Sequence, residues 1–82
     1  MKVGPKYIKQ ITLKSVQHFI LDEKLTDDFG IKLNPKNFDD LILEYRTIYG
    51  NSFQPPFNVL GLSISEDKNV PLDRIIAENN FN

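Results

Sequence analysis

The segment Asn34-Pro35-Lys36-Asn37-Phe38-Asp39-Asp40-Leu41-Ile42-Leu43-Glu44-Tyr45-Arg46-Thr47-Ile48-Tyr49-Gly50 carries a complete set of helix instructions, and no other stretch limits the fold so tightly. Asn34 is a capping residue type, and Pro35 suits the first helical position, where its missing N–H would have no intrahelical partner. Asp39 and Asp40 lie toward the positive end of the helix dipole and Arg46 toward the negative end. Gly50 can adopt the left-handed conformation that stops a helix. Phe38, Leu41, Ile42, Tyr45, Ile48 and Tyr49 recur at helical spacing, giving one broad apolar face. Such a face needs a core to lie on.

A second helix is expected from about Leu13 to Lys24. Thr12 is a capping type, and Leu13, Val16, Phe19 and Ile20 repeat at helical spacing with Lys14, Gln17 and His18 between them. Before it, Lys6 to Thr12 alternates imperfectly through Tyr7, Ile8 and Ile11, and reads either as a first strand or as the front of that helix. Thr26-Asp27-Asp28-Phe29-Gly30 has turn chemistry. Ile31-Lys32-Leu33 is a short extended piece leading into the proline-started helix. From Asn58 to Ser65, Leu60, Leu62 and Ile64 alternate with Val59, Gly61, Ser63 and Ser65, as in a strand with one apolar face. After the polar turn Glu66-Asp67-Lys68-Asn69, the stretch Asp73 to Ala77 offers a second strand to pair antiparallel with it. The expected fold is α+β, two helices packed on a small, partly antiparallel sheet. Its expected core is Val16, Phe19, Ile20, Phe38, Leu41, Ile42, Tyr45, Ile48, Leu60, Leu62 and Ile64.

With 82 residues, 40% hydrophobic and 26% charged, the chain has the balance of one small globular domain over residues 1–82. A flexible N-terminus (1–6) and a frayed C-terminus (78–82) are expected at its ends. There is no cysteine and hence no disulfide framework, which fits a reducing compartment. No apolar run approaches the roughly 20 residues of a membrane span, and the opening Met-Lys-Val-Gly-Pro-Lys lacks the apolar stretch of a signal peptide. These features lead us to expect a cytoplasmic protein with no membrane contact.

The residue types that perform reactions are sparse. His18 is the only histidine, and it has no nucleophile or second ligand in a recognisable pattern around it. Asp22, Glu23, Asp27 and Asp28 lack the alternating spacing and closing glutamate of a calcium loop. Asp39 and Asp40 are adjacent, so on a helix they diverge by about 100° rather than converge as a catalytic pair. The glycines are scattered, without a phosphate loop or dinucleotide fingerprint. No catalytic residue, metal site or cofactor is expected, and the chain reads as a non-enzyme.

Two surfaces stand out. Phe53-Gln54-Pro55-Pro56-Phe57 places two aromatic rings around a stiff proline pair, a low-entropy composition suited to docking on another protein, so Phe53, Pro55, Pro56 and Phe57 are the expected partner-binding residues. Alternatively, both rings close the core over the helix. The other surface comes from residues 1 to 20, which contain Lys2, Lys6, Lys9 and Lys14 and no acid, although the net charge of the whole chain is −1. Lys6, Tyr7, Lys9 and Lys14 are therefore the candidates for a nucleic-acid-binding alternative, with Tyr7 as the stacking ring. Dispersed lysines make a weak phosphate footprint, and a solvated face is the favoured account of them.

From Gly30 onward, the order Gly-Ile-Lys-Leu-Asn-Pro, an amphipathic helix, a Pro-Pro loop, then Leu-Gly-Leu-Ser-Ile-Ser and Val-Pro-Leu-Asp-Arg-Ile-Ile resembles part of the major capsid proteins of tailed phages. In those proteins a strand ending in Asn-Pro leads into a helix, and a Leu-Gly strand is followed by a proline-containing crossover. The likeness covers about residues 30–77, and the chain is far shorter than a capsid subunit. It implies a phage or virion structural or accessory protein, found in host cytoplasm or in the virion, that binds another protein or itself. It carries over no catalytic residue.

Overall fold

The computed structural model describes residues 1–50 and 57–79. In chain order the elements are β1 (Lys2–Tyr7), α1 (Leu13–Asp22), β2 (Phe29–Leu33), α2 (Pro35–Tyr49), β3 (Asn58–Val59), β4 (Leu62–Glu66) and β5 (Arg74–Asn79). The strands form one mixed sheet in the order β1-β5-β2-β4-β3, so the fold is α+β.

Both helices start where their caps specify. Thr12 accepts from the Ser15 amide at 3.1 Å while the Ser15 hydroxyl accepts from the Thr12 amide at 2.8 Å, a reciprocal box that satisfies two exposed donors. Asn34 accepts from the Lys36 amide at 2.9 Å, Pro35 is the first helical residue, and Gly50, at φ +81°, ends α2 with its N–H on the Arg46 carbonyl. Asp39 and Asp40 fall beyond the first turn, so they add less to the dipole than their sequence position suggests. Helix α1 stops at Asp22, earlier than expected. Lys24 takes φ +53°, its amide donates to the Leu21 carbonyl, and the Leu25 amide donates to the Ile20 carbonyl. This is a Schellman stop built without glycine, and half-buried Leu25 packs on the core beside it.

The sheet departs from expectation in two places. Asn58 to Ser65 is not one strand: Leu60 (φ +49°) and Gly61 (φ +83°) form a two-residue turn, with Val59 opposite Leu62 and Asn58 opposite Ser63. Two successive positive φ angles mark a type I′ hairpin, whose twist matches the flanking strands. Leu60, expected in the core, therefore sits 53% exposed at the turn, and Val59 takes the buried place. Nor does β5 pair with β4. Strand β2 lies between them, parallel to β4 and antiparallel to β5. The connecting segment is held against the start of α2, where the Asn34 side chain donates to the Val70 carbonyl at 3.0 Å. Asn37 also bonds to Asp73, so β5 is delivered to the far side of β2.

Strand alternation then sorts the sheet into two faces. Ile31, Leu33, Leu62, Ile64, Ile75 and Ala77 share the inner face with Val16, Phe19 and Ile20 of α1 and Leu41 of α2. Phe38, Ile42 and Tyr45 pack half-buried at its margin. Ile48 departs from expectation: burial along α2 ends at Tyr45, and Ile48 is 57% exposed because the helix outruns the core.

Lys2 to Lys6, within the start 1–6 expected to be flexible, belong to edge strand β1, and Glu78 and Asn79, within the end expected to fray, belong to the β5 ladder, while 80–82 lie outside the described residues. Lysines, Pro5 and a register irregularity between Val3 and Lys6 give β1 the features that discourage pairing with a further strand. Gly4 sits at that irregularity with φ +99°, and a methyl group there would drive into the Ile75 carbonyl oxygen and approach the Lys6 amide at 2.9 Å. Gly4→Ala is expected to cost about 1–3 kcal/mol in urea unfolding. An unchanged midpoint would mean that β1 docking adds nothing to stability.

Candidate functional site

Of the four expected partner-binding residues, Phe53, Pro55 and Pro56 lie outside the described residues. Phe57 is described, and its ring belongs to the core. It is 5% exposed, edge-on to Phe38 at 6.3 Å and to Tyr45 at 5.0 Å between centroids. Its carbonyl accepts from the Ile64 amide at 2.9 Å, which anchors the chain just before β3 and turns the ring under α2. Burial thus removes Phe57 from the expected docking surface.

The four residues of the nucleic-acid alternative do not share a surface. Lys6 and Tyr7 are successive strand residues and project to opposite faces. Lys6 pairs with inward Ile75 and reaches over the Phe19 ring (Nζ 5.8 Å from its centroid), whereas Tyr7 pairs with Arg74 on the outer face. Lys9 borders a cleft between the β1–α1 loop and α2, and Lys14 is exposed on α1.

That cleft, about 420 Å³, is bordered by Lys9, Thr12, Asn37, Asp40, Glu44 and Asp73. Its polar groups mostly tie the fold together. Glu44 of α2 accepts from the Leu13 amide at 2.9 Å, seating a carboxylate on the positive end of α1. Asn37, 6% exposed, donates to the Asp73 carboxylate at 3.1 Å and accepts from the Asp73 amide at 2.8 Å. The Asp73 carbonyl in turn accepts from the Ile8 amide at 2.9 Å, so one node joins α2, the entry to β5 and the exit from β1. The sequence held one sign of this: Asn37 lies one turn before Leu41 on the core side of the helix, where an unpaired amide would be costly. His18 is exposed on α1 beside a shallow depression of about 190 Å³ shared with Lys6 and Asp22. Among the described residues, no three His, Cys, Asp or Glu side chains are grouped to hold a metal ion.

Among the described residues, the outer face of the sheet carries no helix. On β5 it presents Arg74, Ile76 and Glu78; the ladders place Tyr7 beside Arg74, Lys2 beside Glu78 and Lys32 beside Ile76, with exposed Ser63 and Ser65 beyond. The Arg74 guanidinium lies 5.1 Å from the centroid of the Tyr7 ring, which is 55% exposed. Lys32 Nζ donates to Glu78 Oε2 at 2.8 Å. This hydrogen bond, more than the charges alone, holds the Glu78 carboxyl below its ordinary range and raises the Lys32 ammonium. Both side chains are well exposed, so salt screens the pair and it adds little to stability.

No family model, curated protein or solved structure matches the chain. Among the described residues, no helix is long and apolar enough to cross a membrane.

Proposed function

We propose that this chain is a non-enzymatic protein-binding or assembly component that works through the last turn of α2 and the segment following it. The observation that carries this reading is the exposure of Ile48, 57%, at a helical position that continues the face of Leu41 and Tyr45. An apolar face that outlasts its own core is suited to burial against another protein surface. The sequence Phe53-Gln54-Pro55-Pro56, a few residues further along the chain, adds an aromatic ring and a stiff proline pair. A phage or virion setting, in host cytoplasm or in the particle, rests on the resemblance of residues 30–77 to capsid proteins.

A photo-crosslinking residue at position 48, in the source cell, should give one discrete protein adduct or a self-adduct. Ile48→Lys should reduce that association at least about tenfold, since an ammonium cannot enter an apolar contact unpaired. A cation also suits the C-terminal end of a helix, so the melting temperature should stay near that of the parent. A chain that is monomeric at high concentration and yields no adduct from position 48 contradicts this reading.

A further inference from the structure

We propose that the open face of the sheet binds single-stranded nucleic acid, with Tyr7 as the stacking platform and Lys2 and Arg74 as the phosphate contacts. This surface lies on the other side of the sheet from α2 and stands independently of the proposed protein interface. Three observations support it. First, both helices cover the inner face, leaving a pleated surface without cover on the described residues. An open sheet face of this kind can receive splayed bases.

Second, the charge is segregated. In a chain of net charge −1, the ladders place three basic side chains, Lys2, Lys32 and Arg74, and one acid, Glu78, on this face, with Asp67 close enough to Lys32 to act on it. Glu78 and Lys32 hold each other at 2.8 Å and cancel, which leaves the charges of Lys2 and Arg74 uncancelled. An anionic occupant is therefore the complementary one. Third, the cations surround an exposed ring. Tyr7 is 55% exposed, and the Arg74 guanidinium lies over one face of its ring at 5.1 Å, so a base that stacks on the opposite face has a guanidinium within reach of its phosphate. An acidic peptide would satisfy the cations but gain little from the ring, which favours the nucleic acid. Ile76, 8% exposed between these groups, gives the platform an apolar floor, while the Ser63 and Ser65 hydroxyls extend the polar margin.

The test is fluorescence anisotropy with a labelled mixed-sequence DNA of about 12 nucleotides, a length within the usual single-stranded site sizes. The full chain is titrated at about 50 and 200 mM salt. Neutralising two phosphates on a single strand predicts a loss of affinity of about sevenfold between those conditions. Tyr7→Leu should weaken binding at least about fivefold and Tyr7→Phe should restore it, because the ring and not its bulk stacks. Lys2→Gln should weaken binding and flatten its salt dependence, Glu78→Gln should strengthen it, and Lys14→Gln, on the helix side, should leave it unchanged. Thermal melts of each variant separate lost binding from lost folding. The proposal is overturned by any of three results: no binding at about 50 mM salt, binding indifferent to Tyr7→Leu, or equal competition by polyglutamate of matched charge.

Discussion

Replacing Leu41 by alanine is expected to lower the unfolding free energy by about 2–5 kcal/mol, the range for deleting most of a buried leucine and leaving part of its cavity behind. Leu41 is fully buried, and α2 packs there on β2 and β4, whose Ile31, Leu33, Leu62 and Ile64 form the opposing wall. A domain of this length has only about 4–12 kcal/mol of total stability. The single substitution therefore removes a large share and should be visible as a marked shift in urea midpoint. Ile42→Ala provides the internal comparison. Ile42 is half-buried at the margin of the same core, so its loss should be clearly smaller. Equal losses at the two positions, or none at Leu41, would show that the helix presents a different face to the sheet.

Asn37→Leu should be nearly as costly, by a different route. The substitution keeps side-chain volume but removes the donor to the Asp73 carboxylate and the acceptor for the Asp73 amide. Leaving both groups without partners in a half-buried place is expected to cost about 2–4 kcal/mol, since each orphaned group carries its own desolvation penalty. Asp73 is also held at φ +60°, a conformation that an aspartate tolerates but that needs support from its surroundings. Hydrogen exchange gives the direct readout. The Asp73 amide, and the Ile8 amide that donates to the Asp73 carbonyl, should lose protection together in the variant. Asn37→Asp should fail in a pH-dependent way: two facing carboxylates repel when ionised, so stability should recover as pH falls and one of them takes a proton. A variant that keeps both its midpoint and the Asp73 protection would reduce this node to an incidental contact.

The sequence was most informative wherever the deciding interactions lie within a few residues of one another. Thr12 with Ser15, Asn34 with Lys36, Pro35 at the first helical position and Gly50 at the end of α2 all act locally, and each appears where the residue types indicated. Helical periodicity likewise found Val16, Phe19, Ile20 and Leu41, and strand alternation found Leu62 and Ile64. The stop of α1 was hidden because Lys24 fills the left-handed position that glycine usually marks. The candidate site was legible only as single residues. Tyr7 was visible as an aromatic among lysines, but Arg74 and Lys32, its neighbours on the outer face, come from distant strands.

By itself, then, the sequence determined that this chain makes two capped amphipathic helices and several short strands, because capping and periodicity depend on covalent neighbours. Tertiary structure alone decided that β2 separates β4 from β5, because any strand edge can satisfy another's backbone groups and only the pinning of residues 70–73 to α2 selects among them. It also decided that Phe57 is buried while Ile48 and Leu60 are exposed. Periodicity says which way a side chain points along its element, and burial depends on whether another part of the chain stands opposite.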